Sequence, residues 1–84
     1  MQLVVFLNME DAKCLAANVP ESSVVGELIF RALRLRQMVG LDSHNVLVVC
    51  DETEARELLK RAQDECPECV EKILRAFTLA GLVP

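Results

Sequence analysis

Tryptophan and tyrosine are absent from this chain, glycine and proline are held to three residues each, and histidine occurs once. These absences exclude a good deal. There is no Gly-rich phosphate loop. The single histidine, His44, lies in the polar turn "LDSHN", so no Ser/His/Asp set can be assembled. No paired carboxylates sit on a recognisable scaffold either, and the chain is not expected to be an enzyme. No apolar run approaches the ~20 residues of a membrane span. No basic leader precedes an apolar stretch at the N-terminus, so no signal peptide is expected. A basic excess is lacking too. The formal net charge is −4, and phosphate binding needs the opposite sign, which argues against nucleic acid as a partner.

What is present is apolar surface. At 84 residues the chain is read as one domain, 1–84, and 52% of it is hydrophobic. A domain this small buries only part of its unfolded surface. So much apolar area predicts a partner surface, against a second copy or another protein. Charge divides unevenly along the chain. Residues 1–40 balance Lys13, Arg31, Arg34 and Arg36 against Glu10, Asp11, Glu21 and Glu27, whereas residues 41–84 set five basic against nine acidic side chains. The four cysteines, Cys14, Cys50, Cys66 and Cys69, fit a reducing, cytoplasmic setting if they act as small buried apolar residues.

Pattern predicts an α+β fold with a small sheet of two or three strands. "LVVFL" and "VLVVC" place strands near 2–8 and 46–50. Neither run alternates, which predicts cover on both faces. "NMED" has turn chemistry, and "KCLAANV" (13–19) reads either as a third strand or as a short helix. Pro20, then Ser22 or Ser23 as N-cap, opens a helix over 22–39 that Gly40 ends. Its apolar stripe is Val25, Leu28, Ile29, Ala32, Leu35 and Val39. Asp51 and Glu54 have capping-box spacing and open a helix over 52–65. A last helix spans 67–80, with Gly81 as its stop. At an offset of 44, residues 1–40 and 45–84 share twelve identities without a gap. The alternative architecture is therefore a duplicated β-α-α unit forming a dimer.

Two stretches attract a functional reading. "CPEC" places Cys66 and Cys69 at the start of the last helix, where a dipole favours a thiolate. Its acidic flanks, Glu65 and Glu68, work against that. A zinc site from all four cysteines is not expected, because the ~13-residue helix between Cys50 and Cys66 spans ~20 Å. The other stretch is "ELIFRALRLRQ" (27–37), which sets Arg31, Arg34 and Arg36 around Phe30 in an acidic protein. Glu27 and Arg31 have i,i+4 spacing, but arginine beside an exposed aromatic is hot-spot chemistry.

Residues 1–50 also resemble ubiquitin-like β-grasp modules. The resemblance lies in the opening strand "MQLVVFL", the turn after it, and "VPESSV" leading into a helix. More narrowly they resemble Ras-binding and Ras-association domains and the first lobe of FERM domains. There a "VFL" strand is followed by a helix with a basic-Ala-Leu-basic-aliphatic-Arg run, here "RALRLR" (31–36), and then by an apolar strand. The resemblance implies that 13–19 is a second strand. It also implies that Arg31, Arg34 and Arg36, with Lys13 beside them, meet the acidic effector surface of a small GTPase. Residues 51–84 depart from it, since the family has strands where this chain reads as two helices.

The sequence thus points to a non-catalytic protein-interaction module, of Ras-association type, that binds through Phe30, Arg31, Arg34, Arg36 and Lys13. A thiol-redox or sulfur-handling protein using Cys66 and Cys69 is the alternative, and a self-associating structural subunit a third reading. No cofactor or metal is expected.

Overall fold

The computed structural model describes residues 1–39 and 45–84. Gly40 and His44 lie outside the described residues, as does the side chain of Val39. The order is β1 (Gln2–Asn8), α1 (Met9–Ala16), α2 (Val24–Val39), β2 (Asn45–Asp51), α3 (Glu52–Glu65), a 3-10 turn (Pro67–Cys69) and α4 (Val70–Leu79). This is an α+β architecture with a two-stranded sheet, in which strand-helix-helix occurs twice.

The strands pair antiparallel, with Val5 opposite Val48 and Phe6 opposite Leu47. Leu3, Val5 and Leu7 of β1 and Val46, Val48 and Cys50 of β2 face inward and are buried. The expectation of cover on both faces is corrected. Burial alternates strictly along each strand, and Val4, Phe6 and Val49 on the outer face are exposed. Apolar residues at both parities of the strand centres hid this period of two.

Residues 13–19 form no strand, because α1 already occupies 9–16. The turn chemistry of "NMED" is a helix cap. Asn8 accepts the Asp11 N–H at 2.8 Å, and the Asp11 carboxylate accepts the Asn8 N–H at 3.0 Å. The same device opens α3, where Asp51 and Glu54 make the reciprocal bonds at 2.8 and 2.9 Å, as their spacing predicts. Ser23 caps α2 by accepting the Gly26 N–H. At the far end, Gly81 adopts φ +73° and lets Leu82 N–H reach Phe77 O at 2.9 Å, which stops α4.

The two units correspond in burial at two offsets. In strand and first helix the buried positions match at an offset of 43, Leu3 with Val46, Val5 with Val48, Ala12 with Ala55 and Leu15 with Leu58. In the second helices they match at 44, Ile29 with Ile73 and Ala32 with Ala76. An offset of 44 in the strands would set buried Leu3 on half-buried Leu47. One residue of register there exchanges the two faces.

The units interlock. The second helix of each lies on the strand of the other, α2 against β2 and α4 against β1. One continuous core results, with Phe77, Leu15, Leu28 and Leu58 at its centre. Its Cα radius of gyration of 11.7 Å matches the ~12 Å of a compact chain this long.

The start of α2 is tightly fitted. A Cβ on Gly26 would stand 2.1 Å from Pro20 O, a backbone atom that cannot swing aside. Gly26→Ala should destabilise the protein by about 1–3 kcal/mol, read from the urea midpoint at an unchanged slope.

Candidate functional site

The outer face of the sheet is an exposed apolar surface. It consists of two cross-strand pairs, Val4 with Val49 and Phe6 with Leu47. Phe6 is 57% exposed, in a chain whose only buried aromatic is Phe77. The face continues onto helices at both sides. One groove joins Leu47 and Val49 to Arg31 and Leu35 of α2, and another joins Val4 and Phe6 to Ala76 and Leu79 of α4.

The residues expected to bind a partner are only partly brought together. Phe30 and Arg34 are neighbours on α2, the guanidinium lying 5.6 Å from the ring centroid. This stacking gives Arg34 the partner that its helical neighbours lack. Arg31 does not pair with Glu27. It reaches across to the capping-box Glu54 of α3 at 3.3 Å. The pair is exposed, so it contributes at most about 1 kcal/mol. Arg36 is half-buried in the last turn of α2. Lys13 stands exposed in the last turn of α1, so it is on a helix and not on a strand beside the arginines. Leu35, expected in the buried stripe, is 46% exposed and lines the groove instead.

The cysteines are arranged differently from the "CPEC" expectation. Cys66 is bonded to Cys14, across 52 residues, with Cα atoms 6.2 Å apart. The bond joins α1 to the end of α3. A disulfide belongs to an oxidising setting, whereas the expected reducing one would leave two adjacent thiols here. Cys69 is a free, buried thiol whose Sγ donates to Asp11 Oδ1 at 3.4 Å. Burial, then the bond to Asp11 and its charge, push this thiol up to about 12. Burial, with Glu54 and Asp51 nearby, pushes Cys50 up to about 11. Neither is a nucleophile at neutral pH.

Asp11 is the one buried charged side chain among the described residues. Burial by itself would raise its carboxyl. The Lys72 ammonium, the Asn8 N–H and the Cys69 thiol all donate to it and outweigh burial, so its pKa falls below the ordinary carboxylate range. A second polar bridge crosses the units nearby. The Arg61 guanidinium of α3 donates to Leu15 O at 3.2 Å and also to Ala17 O, which satisfies carbonyls at the end of α1.

Sequence reasoning missed the outer sheet face, Asp11 with Lys72, and the role of Cys14. Apolar residues at both parities of each strand carried a trace of the first. Nothing local marks the other two, because their partners are 61 and 52 residues away. Comparison with protein-family models, with curated proteins and with solved structures finds no match to this chain.

Two outcomes follow. Native oxidised protein should take up no alkylating reagent at pH 8, and denatured protein should take up two equivalents, at Cys50 and Cys69; mass spectrometry reads both. Asp11→Asn should cost about 1.5–3 kcal/mol at pH 7. The folded carboxyl is depressed, so its contribution is complete above the unfolded value of about 3.9 and is lost as pH falls through the lower folded value. The gap between wild type and variant in urea unfolding should therefore narrow at acidic pH.

Proposed function

We propose that the chain is a non-catalytic protein-interaction module that takes its partner on the outer sheet face and the adjoining arginine flank of α2. The observation that carries this reading is strict burial alternation in strands apolar at both parities. It leaves Val4, Phe6, Leu47 and Val49 as an apolar strip with Arg31 at its border. Covering a phenylalanine of this kind contributes roughly 1.5–3 kcal/mol. Arg31 at the border of the strip, with Arg34 about one turn further along α2 and stacked on Phe30, favours a partner with an apolar centre and an acidic rim. The acidic effector surface of a small GTPase, implied by the "RALRLR" resemblance, is such a partner.

A second reading has its own support. The outer face is built from two nearly matched cross-strand pairs, Val4–Val49 and Phe6–Leu47, so a second copy would meet it with the same surface in an isologous contact. This is the self-associating reading. Among the described residues no helix is long and apolar enough to cross a membrane, so a lipid interior does not account for the strip through such a helix.

Binding to a Ras-class GTPase in its triphosphate state, measured by stopped flow over a range of salt, tests the first reading. Replacing Arg31 and Arg34 by Ala should slow association about tenfold and flatten its salt dependence, while stability moves by no more than about 1 kcal/mol. Phe6→Asp should abolish binding with the fold intact by circular dichroism. If wild type ignores the GTPase but dimerises by light scattering, and Phe6→Asp makes it monomeric, the self-associating reading replaces the first. A wild-type monomer that also ignores the GTPase removes both.

A further inference from the structure

We propose that Cys14, Cys66 and Glu68 form a divalent-metal site of the zinc class when the Cys14–Cys66 bond is reduced. The two sulfurs and a Glu68 carboxylate oxygen all lie within 4.8 Å of one another. Ligands around a tetrahedral zinc, with bonds of about 2.0–2.3 Å, stand roughly 3.3–3.8 Å apart. The three atoms are thus already gathered at the scale of a coordination sphere. The bonded sulfurs must separate and the carboxylate must move in. Cα atoms 6.2 Å apart let both cysteines do this by side-chain rotation.

The surroundings favour a cation. Cys66 is the C-cap of α3, where backbone carbonyls give the helix its negative end. The last turn of α3 contains no basic residue and contributes Asp64 and Glu65, while Arg61 just before it pairs with Glu65 and is held on the Leu15 and Ala17 carbonyls. The soft donors select the ion. Two thiolates suit zinc and disfavour magnesium or calcium, which prefer oxygen. Three protein ligands leave a fourth position for water.

The exchange balances with a dithiol as reductant. The dithiol gives up two electrons and two protons and leaves as its own disulfide. The Sγ–Sγ bond breaks, and both sulfurs become thiols. A divalent ion then displaces both thiol protons into solvent as it binds. The oxidised protein has no thiolates to offer, so disulfide and metal exclude each other at this place. The same α1–α3 junction is therefore clamped in either state, by a covalent bond or by an ion.

Cobalt is the probe, because thiolate ligation gives it a charge-transfer band that carboxylate ligation does not. The full chain, reduced by a dithiol and desalted without oxygen, should bind one Co²⁺ with that band and yield it to Zn²⁺. Oxidised protein should show none. Glu68→Gln should weaken binding at least about tenfold. Cys14→Ser should halve the band or remove it, and Cys69→Ser should leave it unchanged. If reduction unfolds the chain, one equivalent of Zn²⁺ should restore its helical circular dichroism, and failure to do so overturns the proposal. So do a folded, reduced chain without the band, equal binding by the oxidised form, and a band that needs Cys69 but not Glu68. None of these outcomes depends on the outer sheet face.

Discussion

The structure depends on one register. Val5 lies opposite Val48 in an antiparallel pair, and from that alignment the two faces of the sheet follow. Each strand is apolar at both parities, so hydrophobicity alone would accept either face as the inner one. The surrounding helices decide. β1, with Leu3, Val5 and Leu7 buried, packs on α4 from the other unit, while β2, with Val46, Val48 and Cys50 buried, packs on α2. A slip by one residue would turn Val4 and Phe6 inward and expose the buried set. Because α2 lies on β2 and α4 on β1, neither strand-helix-helix unit buries its own strand alone. One core draws on both.

Polar groups reinforce the same interlocking. Asp11 caps α1 locally and then receives Lys72 from α4. Arg61 of α3 closes the end of α1. Arg31 of α2 meets the capping carboxylate of α3, and the Cys14–Cys66 bond ties α1 to the end of α3. Each joins one unit to the other. The bridge with least exposure, at Asp11, is the one a buried charge makes expensive to break. By the chain-entropy estimate the disulfide contributes roughly 4 kcal/mol, a large share for a domain this small.

Interlocking also explains why apolar surface remains. Helices pack against the inner side of the two-stranded sheet, and among the described residues the outer side keeps Val4, Phe6 and Val49 exposed. Val4, Phe6, Leu47 and Val49 are left facing solvent, with Leu35 and Leu79 at the margins. Of the α2 arginines, Arg31 borders this strip. Arg34 on Phe30 keeps a ring half-covered that would otherwise add to the exposed area.

Local chemistry was legible in the sequence. The helix over 52–65 followed from Asp51 and Glu54, the cap of α2 from Ser22 or Ser23, of which Ser23 serves, and the end of α4 from Gly81, because each involves atoms three to five residues apart. The α+β class and the small sheet followed from two apolar runs. The α1 cap is also local, but Asn8 and Asp11 read equally as a turn, since both residue types serve either purpose. Tertiary structure alone decided which strand face is buried, that Cys66 joins Cys14, that Asp11 is charged inside the core, and that Arg31 leaves Glu27 for Glu54. The physical reason is common to all four. Each depends on which of several chemically acceptable partners is nearest in space, and only the packing of one unit into the other sets that distance.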